Sequence, residues 1–248
     1  MRWSVHGLAF GLMACLLGCG EAGPSGASGG TSRPATGAAD AALRSTNTAA
    51  TSTNGSVATV GSLAEPTMEQ LEGLMRARRF PEAWDMATAL LKVKPEDEDL
   101  HFNAGFVAAE LGRTNDAILH YQACVRIVPE YAEAHNNLGN LLRKAGHPTE
   151  AIQHLEEAIL HAPSNASAHN NLGTTLALAG RVDEAIPHFV QATELREGYT
   201  EAWLNLGNAY LQQDRFQDAA RPLQRALELA PEHPGVHRAI ARLRQKVR

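Results

Sequence analysis

The stretch AEAHNNLGNLLRKAGHPTEAIQHLEEAILHAPSN, residues 132–165, is followed without a gap by ASAHNNLGTTLALAGRVDEAIPHFVQATELREGY, residues 166–199. Laid one over the other, they match Asn137 to Asn171, Leu138 to Leu172, Gly139 to Gly173, Gly146 to Gly180, Ala151 to Ala185 and Ala158 to Ala192, a period of 34 residues. The same columns run outward in both directions. Proline recurs at Pro95, Pro129, Pro163 and Pro231, with Glu197 as the departure, and alanine at Ala83, Ala117, Ala151, Ala185 and Ala219. Glycine recurs at Gly105, Gly139, Gly173 and Gly207, and again seven residues on at Gly112, Gly146 and Gly180, where Asp214 breaks the row. A large apolar residue fills Tyr121, Leu155, Phe189 and Leu223. Self-similarity at a period of this length marks a chain assembled from stacked copies of one supersecondary unit.

The residue types say what the unit is. Leu138, Leu142, Leu155 and Ile159 fall at the three-to-four-residue spacing of buried helical stripes. Gly139 and Ala151 are small where two helix axes cross ~8–10 Å apart. Gly146 suits the left-handed residue that ends a first helix, and Pro81 and Pro148 preset φ at the start of a second. Pro187 stands early enough in its helix for its missing N–H to have no partner to lose, whereas Pro222 sits deeper and is expected to bend its helix.

A Leu-Gly pair, a turn Gly, a small Ala, an aromatic or Leu four residues on, and a closing Pro together resemble the tetratricopeptide repeat. That resemblance covers residues 64–248. It implies an all-α, right-handed superhelix, an α-solenoid of about five helix hairpins: 64–97, 98–131, 132–165, 166–199 and 200–233, with a capping helix over 234–248. The first unit keeps Leu71, Leu74, Phe80, Ala83 and Pro95 but lacks the Leu-Gly pair, as suits an end with one free face. In the cap, Val236, Ile240 and Leu243 share one side, and the basic residues of its last turns complement the helix dipole.

Before the repeats, Gly7 to Leu17 form an apolar run about half the ~20 residues a spanning helix needs. It reads as the core of a signal peptide over residues 1–18. Leu16-Leu17-Gly18-Cys19 resembles the lipobox of bacterial lipoproteins, which implies diacylglycerol on Cys19 and a further chain on the new amine, enough for stable anchoring. Leu12-Met13-Ala14-Cys15 also fits that pattern, and simple secretion is the other reading. Residues 19–63 hold the lipid-attachment cysteine and a linker; of the 44 residues from Gly20 to Leu63, 36 are Gly, Ala, Ser, Thr, Pro or Asn. Such a segment has almost nothing to offset chain entropy and is expected to be disordered.

Composition narrows the chemistry. The 22 basic residues stand against 27 acidic ones, a net charge of −5, and the repeat region alone is near −6, which argues against a nucleic-acid partner. Three cysteines make no disulfide framework. No phosphate-cradling loop or metal-ligand spacing occurs, so no catalytic residue, metal or cofactor is expected. The 11 histidines are numerous, but His101, His135, His169 and His237 share one column and His120, His154 and His188 another. Equivalent rings in successive units stand about a helix spacing apart, ~10 Å, too far to share zinc, so packing is the expectation. Cys124 takes the place of Ala158 and Ala192, a small buried position.

In a tetratricopeptide stack the first helix of each pair lines a concave surface. Asn103, Asn137, Asn171 and Asn205 would form one row there, Asn136 and Asn170 part of another, and Asn140 and Asn208 would lie one turn on. Carboxamides offer donor and acceptor together, as an extended peptide backbone requires, so these residues either hold a polypeptide or brace the stack. Phe102, Phe106 and Leu204 would add apolar anchors or packing. Arg143 and Lys144 form one basic pair, without the repeated clamp of chaperone-tail binders. The Asn-Asn-Leu-Gly units also resemble the repeat domain of protein O-linked N-acetylglucosamine transferases, although their catalytic domain is missing. The layout is similar to tetratricopeptide lipoproteins such as the pilotins of type IV pili. The expectation is therefore a lipid-anchored scaffold or assembly factor in the cell envelope, at the outer membrane or a periplasm-facing membrane, that binds a protein or peptide. A self-associating spacer and a targeting subunit for a separate glycosyltransferase are the alternatives, and the oligomeric state is left open.

Overall fold

The computed structural model describes residues 66–247. The signal peptide, Cys15, Cys19 and the linker lie outside the described residues, as do the first two residues of unit 64–97. Eleven helices follow one another among the described residues: α1 (Met68–Arg76), α2 (Phe80–Val93), α3 (Glu98–Glu110), α4 (Thr114–Ile127), α5 (Ala132–Lys144), α6 (Pro148–His161), α7 (Ala166–Leu178), α8 (Val182–Leu195), α9 (Thr200–Gln212), α10 (Phe216–Leu229) and α11 (Pro234–Lys246). They pair into five hairpins and a cap, the all-α solenoid expected from the period.

Local chemistry sets the ends. Thr67 closes a capping box with Gln70 at the start of α1, and the Asp97 and Asn165 side chains accept from the first-turn N–H groups of α3 and α7. The second helices of the hairpins have no such cap. Instead the residue just before each one pairs with an acid three positions on: Arg79 with Glu82, Arg113 with Asp116, His147 with Glu150, Arg181 with Glu184 and Arg215 with Asp218. The acid column that precedes each alanine thus sits in a first turn, held by a local contact that is an ion pair wherever the partner is arginine. Between the helices of a hairpin, Gly112, Gly146 and Gly180 take φ of 72°, 87° and 81°. Arg78 and Asp214 take the same left-handed turn at 56° and 55° with a Cβ to accommodate.

Each hairpin closes on its small residues. A Cβ on Gly139 would lie 2.6 Å from Leu155 Cγ and 3.1 Å from the Ala151 carbonyl oxygen, so the crossing admits no side chain there. Ala151, Leu155, Ala158 and Leu138 are fully buried around it. Successive hairpins then share walls: Leu155 of the third unit packs with Leu172, Leu176, Ala185 and Phe189 of the fourth. Pro187 is the sixth residue of α8, where its ring replaces an N–H that would have reached Asp183; the helix nevertheless runs unbroken, as does α10 through Pro222.

The hairpins stack unevenly. From the third unit onward first helices touch along the stack, α5 with α7, α7 with α9 and α9 with α11, whereas α1 with α3, α3 with α5 and the second helices with one another meet marginally at most. The stack therefore curves towards its first helices, and their outer stripes form the inner wall.

Replacing Ala151 by Leu overfills the α5–α6 crossing and is expected to lower stability by ~1–3 kcal/mol, read as a lower melting temperature. Replacing Asp214 by Gly relieves the one turn within a hairpin, between α9 and α10, where an acid holds positive φ, and should raise stability by ~0.5–1 kcal/mol in the same melt.

Candidate functional site

The inner wall is built from one helical stripe per unit: Phe102 and Phe106 on α3, Asn136, Asn140 and Arg143 on α5, Asn170 and Thr174 on α7, Leu204 and Asn208 on α9. Much of its carboxamide chemistry runs between units. Asn171 Nδ2 donates to Asn136 Oδ1 at 2.9 Å, Asn136 to Asn137 at 3.4 Å, and Asn137 to the buried Tyr121 hydroxyl at 3.3 Å. A second relay runs from Asn205 Nδ2 to Asn170 Oδ1 at 3.0 Å and Thr174 Oγ1 at 3.3 Å, and from Asn170 to the Tyr199 hydroxyl at 3.3 Å. Asn103 donates to Met68 Sδ at 3.4 Å across to α1.

Asn103, Asn136, Asn137 and Asn170 are buried, Asn171, Asn205 and Asn140 half-buried, and Asn208 exposed. The rows are thus brought together on one surface, and their buried members are tied to neighbouring units. Each carboxamide has more hydrogen-bonding capacity than this bracing consumes. Asn140 accepts from Arg143 Nη2 at 2.7 Å, a bond that does not use its own N–H groups. At the N-terminal end of the wall the rings divide their roles. Phe106 is buried edge-on against Phe80, whereas half-buried Phe102 stacks on Tyr131 with centroids 5.1 Å apart.

The histidines hold a feature that column-by-column reading missed. The two columns meet inside each unit: His101 Nδ1 lies 3.0 Å from His120 Nδ1, His135 3.0 Å from His154, and His169 3.2 Å from His188. The other nitrogen of each first ring donates to the carbonyl six residues earlier, Pro95, Pro129 and Pro163, at 2.9, 2.9 and 3.1 Å. A carbonyl only accepts, so Nε2 carries the proton, Nδ1 of that ring is the acceptor, and the second ring donates its Nδ1–H. Trp203 Nε1 makes the same bond to Glu197 at 2.8 Å and His237 to Pro231 at 2.6 Å. The column calls for a ring N–H that ties each first helix to the end of the preceding hairpin, which explains why His and Trp exchange there. The constant six-residue spacing to the proline column was its signal in the sequence.

The remaining candidates have structural surroundings. Cys124 is buried among Ala117, Tyr121 and Leu138, and burial pushes its thiol up to about 12, which leaves it un-ionised and unreactive near neutrality. An open cavity of about 810 Å³ beside Trp203 carries both signs of charge, with Arg225 already paired to Glu228 at 3.1 Å. Among the described residues no group of three or more His, Cys, Asp or Glu side chains is placed to hold a metal ion, and no helix is long and apolar enough to cross a membrane.

Burial holds His120, His154, His188 and His135 below the ordinary histidine range, against the weaker opposing pull of Asp116 on His120, Glu150 on His154 and Glu184 on His188. A lowered folded-state pKa means that the unfolded chain binds these protons more readily, so stability is full above the unfolded value of ~6.5 and is lost as pH falls below it. Melting temperatures are expected to drop between about pH 7 and pH 5. The triple variant His120→Gln, His154→Gln, His188→Gln should flatten that slope, and an unchanged slope would contradict the assignment.

Three tetratricopeptide-repeat family models match residues 176–243, 136–199 and 108–146. Among solved structures the chain is similar to MamA, at 24% identity and TM-score 0.62, covering 67% of this chain and 97% of that one. It is also similar to YrrB, described as a tetratricopeptide protein with an unusual peptide-binding site, at 22% identity and TM-score 0.61, covering 70% and 89%. PilF of Pseudomonas aeruginosa matches at 17% identity and TM-score 0.65, covering 71% and 81%. These identities speak for the fold. No curated protein matches in sequence, and the matching family models name no enzyme. With its 34-residue columns, hairpin stack and family matches in agreement, the chain belongs to the tetratricopeptide repeat proteins, a family of protein-interaction modules.

Proposed function

We propose that the protein is a lipid-anchored interaction scaffold of the bacterial cell envelope that holds an extended segment of a partner protein along its inner wall. The observation that carries the groove is the arrangement of carboxamides on one concave surface. Their inter-unit bonds brace the wall, while Asn208 is exposed and the N–H groups of half-buried Asn140 are not used in its bond to Arg143. A preorganised row of donors and acceptors suits a peptide backbone, because little ordering remains to be done on binding. The peptide-binding site described for YrrB, on a similar stack, supports the same reading.

The anchor rests on the sequence of residues 1–19: a short apolar run ending in Leu16-Leu17-Gly18-Cys19. A lipid at Cys19 followed by the Gly- and Ala-rich linker would let the repeats stand off the membrane by roughly 35–40 Å on average. The pilotin-like layout rests on the same resemblance of an N-terminal lipobox followed by tetratricopeptide units, and the similarity to PilF reaches no further than architecture.

Two measurements test the two halves. A photo-crosslinking residue in place of Asn208 should trap polypeptide from the cell envelope, whereas the same residue in place of exposed Gln153, on a second helix, should trap little; equal trapping would remove the groove. Cys19→Ser should move the protein out of the membrane fraction, and undiminished attachment would assign the anchor to Cys15 or to a protein.

A further inference from the structure

Arg143 is the exception in an otherwise satisfied structure. Among the described residues its Nε is the buried side-chain nitrogen or oxygen without a hydrogen-bond partner. Its situation also differs from that of the other arginines around it. Arg79, Arg113, Arg181, Arg215 and Arg225 each lie against a carboxylate of their own turn, and all stand well out in water. Arg143 is half-buried, and the one acceptor it reaches is a neutral carboxamide, Asn140 Oδ1 at 2.7 Å. Burial depresses its pKa, and no neighbouring acid opposes that shift. A partly desolvated guanidinium without a counter-charge costs stability that the fold does not recover internally.

Its place gives the cost a purpose. Arg143 and Asn140 lie one turn apart on the stripe of α5 that faces the inner wall, in the third of five units. The guanidinium is a planar fork of donors with no acceptor. By engaging Asn140 Oδ1 it also fixes which end of that carboxamide is left over, namely the N–H end. The two side chains together present mainly donors, the rest of the guanidinium fork and the Asn140 N–H groups, within a region whose overall charge is negative. An inner wall of this kind has no use for a neutral or cationic ligand at that point and a clear one for an anion of the size and planarity of a carboxylate.

We infer that Arg143, oriented by Asn140, is an anchor for an Asp or Glu side chain of the polypeptide held in the groove, fixing the register at which that segment lies. The inference deepens the groove reading above and rests on it. A charge-assisted Arg–carboxylate pair in a partly desolvated site fixes both position and orientation, which the carboxamides, reading only backbone, leave free to slide. The anchor lies in mid-groove, in the third of five units, with Lys144 beside it and no repeat of the pair in neighbouring units, so the carboxylate is assigned to a side chain within the segment.

The test uses the full chain and a random peptide library displayed on phage, selected in parallel on the native protein, on Arg143→Gln and on Asn208→Ala. Peptides from the native protein should carry an Asp or Glu at one fixed place. For a synthetic copy, exchanging that acid for its amide and exchanging Arg143 for Gln should each weaken binding by about tenfold, with little further loss when both are made. Arg143→Lys should recover part of it, since charge remains and the fork does not. Arg143→Gln should melt no lower than the native protein, because a buried charge without a partner is removed. Peptides that need Asn208 but show no acid preference, or the same preference on Arg143→Gln, would overturn the anchor and leave the groove standing. No groove-dependent peptide at all would overturn both. A clear loss of stability in Arg143→Gln would make the residue a structural one and end the proposal.

Discussion

The structure depends on how closely two helices cross within each hairpin. Where Gly139 faces Leu155 and Ala151 there is no room for one further carbon. That approach sets the thickness of a unit, and thickness repeated without variation is what allows five units to share continuous walls. The large apolar column fills the space that glycine leaves: Tyr121 against Gly105, Phe189 against Gly173, Leu223 against Gly207. Small and large residues are thus complementary halves of one contact, and neither column has meaning without the other.

A second layer of bonds converts contact into registry. The ring N–H at the fourth position of each unit from the second onward, including the cap, reaches back to a carbonyl at the end of the preceding hairpin, from His101 through Trp203 to His237. Carboxamides do the same on the inner wall. Because these bonds are directional, they specify how each unit is turned on the last, which apolar packing alone specifies loosely. The groove is in this sense a by-product of the stacking machinery: the residues that align the units also line the surface between them.

The period, the unit boundaries and the turns were legible in the sequence because each depends on a residue type recurring at one offset. First helices begin at Ala132, Ala166 and Thr200, the first residues of the units as read from the columns. What escaped that reading lies between columns. Asn136 meets Asn171 and Asn170 meets Asn205 across 35 residues, one more than the repeat, a register that superposing equivalent positions never compares. The rings of His101 and His120 meet because two antiparallel helices present particular faces to each other, an angular relation that spacing along the chain does not contain. Arg143 was legible as half of a basic pair, but not its missing acceptor, because absence of a partner exists only in three dimensions. Pro187 was expected among the first-turn residues whose N–H has no partner, but α8 begins at Val182 and places it sixth, and the helix tolerates the lost bond.

First helices bound to one another from α5 onward, and second helices left nearly independent, make that part of the stack mechanically lopsided. Its inner side resists stretching through directed polar bonds, and its outer side can open or close like the leaves of a fan. A load applied along the stack is therefore absorbed as a change in radius before any single hairpin comes apart. A stack of this build is a compliant hook, one that changes its curvature before it loses its registry.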